Sequence, residues 1–147
     1  MPLFSVSRAR TTLSTTADLL TIVASSTKPL RITVIDIKGM DTASAVNEIL
    51  VQRSSGGTTP GGAITPSKLN PSSAAASFSV YTTWAAAPTL DGAILWRMGP
   101  NANGGIDKYV AAPGWEFPVP VSGQVSIRSA SGTGNVTINL AIEEIDG

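Results

Sequence analysis

The clearest pattern in the chain runs from Leu30 to Met40, LRITVIDIKGM. Leu30, Ile32, Val34, Asp36 and Lys38 fall on one face of an extended segment, and Arg31, Thr33, Ile35 and Ile37 on the other. Apolar residues on both faces predict a central strand in a sheet that is covered on both sides. From Val136 to Ile145, Val136, Ile138, Leu140 and Ile142 alternate with Thr137, Asn139, Ala141 and Glu143, which predicts a strand with one buried face. Phe78 to Trp84 reads the same way: Phe78, Val80, Thr82 and Trp84 form a mainly apolar face opposite Ser79, Tyr81 and Thr83.

Shorter strands are expected at Ala17–Ala24, at Ala93–Met98 and around Val125 and Ile127, with extended pieces at Tyr109–Val110 and Trp115–Pro118. Ala45–Arg53 fits a helical stripe through Val46, Ile49, Leu50 and Arg53, but the apolar run Ile49–Val51 and the β character of its neighbours favour a strand. Leu3, Phe4 and Val6 mark an N-terminal strand or arm, on which Arg8 and Arg10 share a face.

Turn chemistry separates these segments. Lys28-Pro29 ends one, and SSGGTTPGG (54–62), GPNANGG (99–105) and SGTGN (131–135) connect others. Pro113, Pro118 and Pro120 exclude central hydrogen-bonded positions nearby. Pro66 and Pro71 bracket a loop whose one large apolar residue is Leu69, a candidate anchor against the body of the protein. Short strands with Gly, Pro and Ser turns across 147 residues predict an all-β chain. The expected architecture is one antiparallel β-sandwich domain over 1–147, jelly-roll-like, of about eight to nine strands, with 1–10 as an extended N-terminal arm.

Composition narrows the chemistry. The chain has no cysteine and no histidine, which removes disulfides, thiolate–imidazole zinc sites and the usual nucleophilic triads. Glu143 and Glu144 are adjacent on a strand, point to opposite faces and cannot act as an acid/base pair. Asp36, with Lys38 two positions on, reads as an ion pair or edge position. GGTTPGG lacks the Lys-Ser/Thr of a phosphate loop, and Asp91, Asn103 and Asp107 make no spaced calcium array. No catalytic, cofactor-binding or metal-binding residue is therefore assigned, and the chain reads as non-enzymatic.

Charge points the same way. Lys plus Arg equals Asp plus Glu at 10 each, and only 14% of residues are charged, against about 25% in an ordinary domain. Such a chain has no general attraction to nucleic acid or acidic membranes, and little charge to keep copies apart. The slightly positive mean hydropathy fits a protein whose surface is partly covered in an assembly. MPLFSVSRAR does not read as a signal peptide, and the apolar window 74–96 is too interrupted for a membrane helix. Trp84 and Trp96 fit strand faces and are expected in the core. Trp115, beside Pro113-Gly114, is the better candidate for an exposed contact.

Four stretches carry a family resemblance: LRITVIDIKGM, NEILVQRSS followed by GGTT, AITPSKLNPSSAAAS and GWEFPVPVSGQVSIRSASGTGNVTINLAIEEI. The pattern, which spans the whole chain, resembles the head decoration (cement) proteins of tailed bacteriophages. That resemblance implies a jelly-roll or tumour-necrosis-factor-like sandwich, a homotrimer, and a place on the virion's capsid surface after synthesis in the host cytoplasm. It implies binding to the major capsid protein so as to bridge neighbouring subunits, with no small-molecule substrate. Arg8 and Arg10 on the N-terminal arm, Lys68 and Leu69 in the proline-bracketed loop, and Trp115 are the expected capsid or subunit contacts. Deleting Met1–Arg10 is expected to abolish capsid binding and leave the sandwich folded. Two alternatives stand beside this reading: a tail or fibre module recognising carbohydrate through exposed aromatics, and a secreted adhesin-like sandwich, which the lack of a signal-peptide pattern disfavours.

Overall fold

Alternation of large apolar and small polar residues builds two antiparallel sheets packed face to face; the structure, a computed structural model, describes residues 2–145. Its strands are β1 (Leu3–Thr12), β2 (Leu20–Val23), β3 (Leu30–Gly39), β4 (Glu48–Ser55), β5 (Thr58–Gly61), β6 (Ser67–Lys68), β7 (Ser79–Tyr81), β8 (Thr83–Ala86), β9 (Thr89–Met98), β10 (Ile106–Val110), β11 (Phe117–Val119), β12 (Gln124–Ser131) and β13 (Asn135–Glu144). The first sheet has the order β10-β3-β13-β1-β6, with β11 pairing a second stretch of β3. The second has the order β7-β2-β12-β4-β9, and β5 with β8 forms a separate two-stranded ribbon. The all-β antiparallel sandwich is as expected. The strands exceed the eight or nine read from the sequence because several are only two to four residues long, too short for alternation to mark them.

One core fills the space between the sheets. Phe4 and Val6 of β1, Leu20 and Ile22 of β2, Ile49 and Val51 of β4, Val125 and Ile127 of β12, and Val136, Ile138, Leu140 and Ile142 of β13 all belong to it. From β3 come Leu30, Ile32, Ile35 and Ile37, residues that strict alternation divides between opposite faces. A bulge reconciles them. Ile32 pairs with Ile142 and Val34 with Ala141, so Thr33 is an extra residue on β3, and its hydroxyl donates to the Ala141 carbonyl (3.1 Å). The bulge reverses the side-chain phase, turning all four apolar residues inward. Strand β3 is central, as expected, but the two apolar faces do not mean that both faces are covered: Val34, Asp36 and Lys38 lie opposite the core side.

The N-terminal segment is a full strand and not an arm. β1 pairs with β13 from Leu3 to Thr12 and with β6 at Phe4 and Ser5, and both Phe4 and Val6 are buried. The total accessible surface of 6958 Å² matches the roughly 7,100 Å² of a compact monomer of this mass. Removing Met1–Arg10 would therefore open the core, contrary to the expectation that the sandwich survives it.

The long connection from β4 to β9 is a strap around one side of the sandwich. Its β6 extends the first sheet beside β1, and its β7 extends the second beside β2. Between them the Phe78 ring meets the Phe4 ring edge-on at 5.5 Å. The strand expected from Phe78 to Trp84 breaks at Thr82, whose N–H donates to the Gly61 carbonyl (3.2 Å) and whose hydroxyl donates to that of Gly62 (2.9 Å). Beyond this break the chain leaves β2 and pairs with β5 instead.

Candidate binding surfaces

The two sides of the sandwich differ. On the strap side, β6 and β7 cover the edges of β1 and β2. On the other side, β9 ends the second sheet and β10 and β11 end the first. Aromatic rings bridge these two edges. The Trp96 ring lies 4.7 Å from that of Tyr109 and 6.3 Å from that of Phe117, and Tyr109 stacks on Phe117 at 4.7 Å. Trp96 pairs with the inward-facing Val51, yet at the end of the sheet it remains 38% exposed. Its expected place in the core fails because, among the described residues, no strand lies beyond β9 to cover it. The Tyr109 hydroxyl donates to the Trp115 carbonyl (2.5 Å), tying the β10–β11 loop to the cluster. Burial, with Glu116 nearby, pushes the Tyr109 phenol above its ordinary pKa.

Further apolar side chains are exposed nearby, Ile106 and Val110 on the outer face of β10, opposite the buried Tyr109. Trp115, Ile106 and Val110 are each more than 60% exposed, and an open hollow is lined by Ile94, Leu95, Trp96 and Arg97. Large apolar residues on an unsealed edge mark a surface made for contact. Trp115 is exposed, as expected. No local signal in the sequence groups Trp96, Ile106 and Val110 with it; the grouping follows from β9 and β10 being end strands of their sheets.

The five residues expected to make contacts do not converge. Arg8 donates to the Leu19 carbonyl, next to the start of β2, and burial lowers its pKa. Arg10 is exposed and pairs with Asp41 at 3.2 Å. Asp41 also accepts from the Asn135 backbone N–H (2.8 Å) and side-chain amide (3.0 Å). The hydrogen bonds from Asn135, reinforced by Arg10, hold its carboxyl below the ordinary range. Lys68 lies opposite Phe4 on the strap, and the Leu69 N–H donates to the Leu3 carbonyl (3.0 Å). Leu69 is 54% exposed and so does not anchor the loop. Trp115 stands at the other end of the first sheet, four strand spacings or about 19 Å away.

A buried polar network lies beneath the ribbon, and the sequence reading missed it. Asp18 is out of solvent; it accepts from the hydroxyls of Thr21 (2.5 Å) and Ser126 (2.5 Å) and pairs with Arg128 at 2.6 Å. Ser126, whose one hydroxyl proton goes to Asp18, accepts from the Ser54 hydroxyl (2.7 Å), and Arg128 donates to the Pro88 carbonyl (2.9 Å). The indole N–H of Trp84 donates to the Thr21 hydroxyl (3.0 Å), so Trp84 clamps the ribbon to the sheet and is not a core residue. Gly57 permits this clamp: at its φ of +91°, a Cβ would come within 2.7 Å of the Trp84 ring. An acid inside the apolar run ADLLTIVA and a serine between Val125 and Ile127 were the available signals. Both mark polar positions on a covered face.

A second buried carboxylate, Glu144, fastens the strap's entry into β7. It accepts from the backbone N–H (3.0 Å) and hydroxyl (2.5 Å) of Ser77 and faces Lys28 at 3.8 Å. The inward carboxylates thus serve as structural ties. Among the described residues, no group of three or more acidic side chains forms a candidate metal site. No protein-family model, curated protein or solved structure matches the chain.

Proposed function

We propose that this chain is a non-enzymatic structural protein of a phage virion, one that binds the outer surface of the capsid and bridges neighbouring capsid subunits. The observation that carries the reading is the asymmetry of the sandwich: a strap covers one side, and the other presents Trp96, Ile106, Val110 and Trp115. The order β10-β3-β13-β1 facing β2-β12-β4-β9, with the strap inserted between β4 and β9, we read as a jelly roll. Balanced charge, the lack of His and Cys, and carboxylates committed to internal ties support work by contact area and not by chemistry. An assembly of several copies, expected to be a trimer, would multiply weak contacts with the major capsid protein.

Light scattering for mass, combined with co-sedimentation on capsids, tests this. The wild type should run as an oligomer and pellet with capsids. Ile106→Asp with Val110→Asp should lose pelleting while keeping its melting temperature. A wild-type monomer that stays in the supernatant would sink the proposal. The carbohydrate-module reading draws on the exposure of Trp115; a glycan-array signal lost in Trp115→Ala would favour it.

A further inference from the structure

A second feature lies away from the open side. On the outside of the second sheet, between the turn before β2 and the ribbon strand β8, a cavity of about 140 Å³ is lined by Thr16, Ala17, Asp18, Thr82, Thr83, Trp84, Ala85 and Ala87. We infer that this cavity is a subsite for a single neutral sugar ring. The inference does not depend on the capsid reading.

Size, polarity and rigidity each bear on it. An enclosed space of about 150 Å³ holds one benzene-sized ring, so this open hollow takes at most one sugar ring, with part of it left in solvent, and is too small for a whole nucleotide. The one charged residue in the lining, Asp18, has its carboxylate saturated by Thr21, Ser126 and Arg128. Arg128 is committed in turn to Asp18 and the Pro88 carbonyl. The occupant therefore meets no free charge, and an anion or a cation has no partner here. What it meets is an indole, three threonine side chains and three alanine methyl groups. That mixture suits a pyranose, whose C–H face packs on an aromatic ring while its edge hydroxyls donate to threonine oxygens, the Thr82 proton being already committed to the Gly62 carbonyl.

The indole is held in place before any ligand arrives. Its N–H is bonded to Thr21, Gly57 lies against its six-membered ring, and the Tyr81 ring meets it edge-on at 5.6 Å. A fixed aromatic surface spares the entropy of ordering it on binding. With a single ring bound in a shallow site, saturation is expected in the millimolar range.

The test is a titration of isotope-labelled protein, followed by NMR, with glucose, galactose, mannose, rhamnose and N-acetylglucosamine in turn. At least one should give saturable shifts at the Trp84 indole N–H and the amides of 82–87. Ala85→Leu, placed at an exposed lining position to fill the space, should abolish them at an unchanged melting temperature, whereas Trp115→Ala should leave them intact. No saturable shift with any of the five sugars would overturn the inference. So would shifts that persist in Ala85→Leu, or that centre on Trp115 and move sugar binding to the open side.

Discussion

Replacing Arg128 with Met should be among the more damaging single changes in this protein, although Arg128 lies on the outer face of a sheet. Its guanidinium is the only cation on Asp18 among the described contacts, at 2.6 Å, and the Asp18 side chain is 0% exposed. The variant leaves a buried carboxylate with only the Thr21 and Ser126 hydroxyls as donors. Removing one partner of a buried pair costs about 3–5 kcal/mol, because the remaining charge is uncompensated. With an unfolding entropy of about 2.1 cal/mol/K per residue, the 147-residue chain should lose roughly 10–16 °C in Tm. Adding Asp18→Asn removes the stranded charge and keeps an oxygen acceptor for both hydroxyls, so the double variant should recover more than half of the loss. Urea unfolding followed by tryptophan fluorescence measures each step, with an unchanged m-value required for the comparison. A loss below about 1 kcal/mol for Arg128→Met, the range of a solvated surface pair, would refute the argument that the ribbon seals this network.

Further expectations concern the ends of β1, the strap and pH. Phe4→Ala should cost about 3–5 kcal/mol as a core truncation, and deletion of Met1–Arg10 should yield an unfolded chain by circular dichroism; a folded deletion product would restore the arm. Gly57→Ala should loosen the ribbon, both because φ at this position is +91° and because the new methyl meets the Trp84 ring; hydrogen exchange should rise across 58–61 and 83–86 while β13 stays protected. The Asp41 carboxyl is held below its ordinary pKa in the folded state. Its contribution is therefore present above the unfolded value of about 3.9 and is lost as pH falls through the lower folded value. The stability gap between wild type and Asp41→Asn should be constant near neutrality and close below about pH 4; a gap insensitive to pH would show that Asp41 acts only through its shape.

By itself the sequence determined the class of this protein. Alternation is a local property, since successive side chains on a strand point to opposite faces. Val136–Ile145 and Leu30–Met40 were therefore legible as strands, and turn residues placed most of the breaks. The lack of His and Cys likewise limited the chemistry without any structure. Tertiary structure decided what depends on partners distant in the chain. The bulge at Thr33 exists only against Ala141 and Ile142 of β13, so the facing of Ile35 and Ile37 could not be read from β3 alone. Thr82 ends β7 because Gly61 and Gly62, some twenty residues away, supply the acceptors. Trp84 and Trp96 both fit apolar strand faces. One clamps the ribbon over Thr21 and the other stands on an uncovered edge, and which strands lie beside them settles the difference. The expected contact residues dispersed for the same reason: neighbours in sequence share a strand, but a surface is assembled from edges that only the folded sheet brings together.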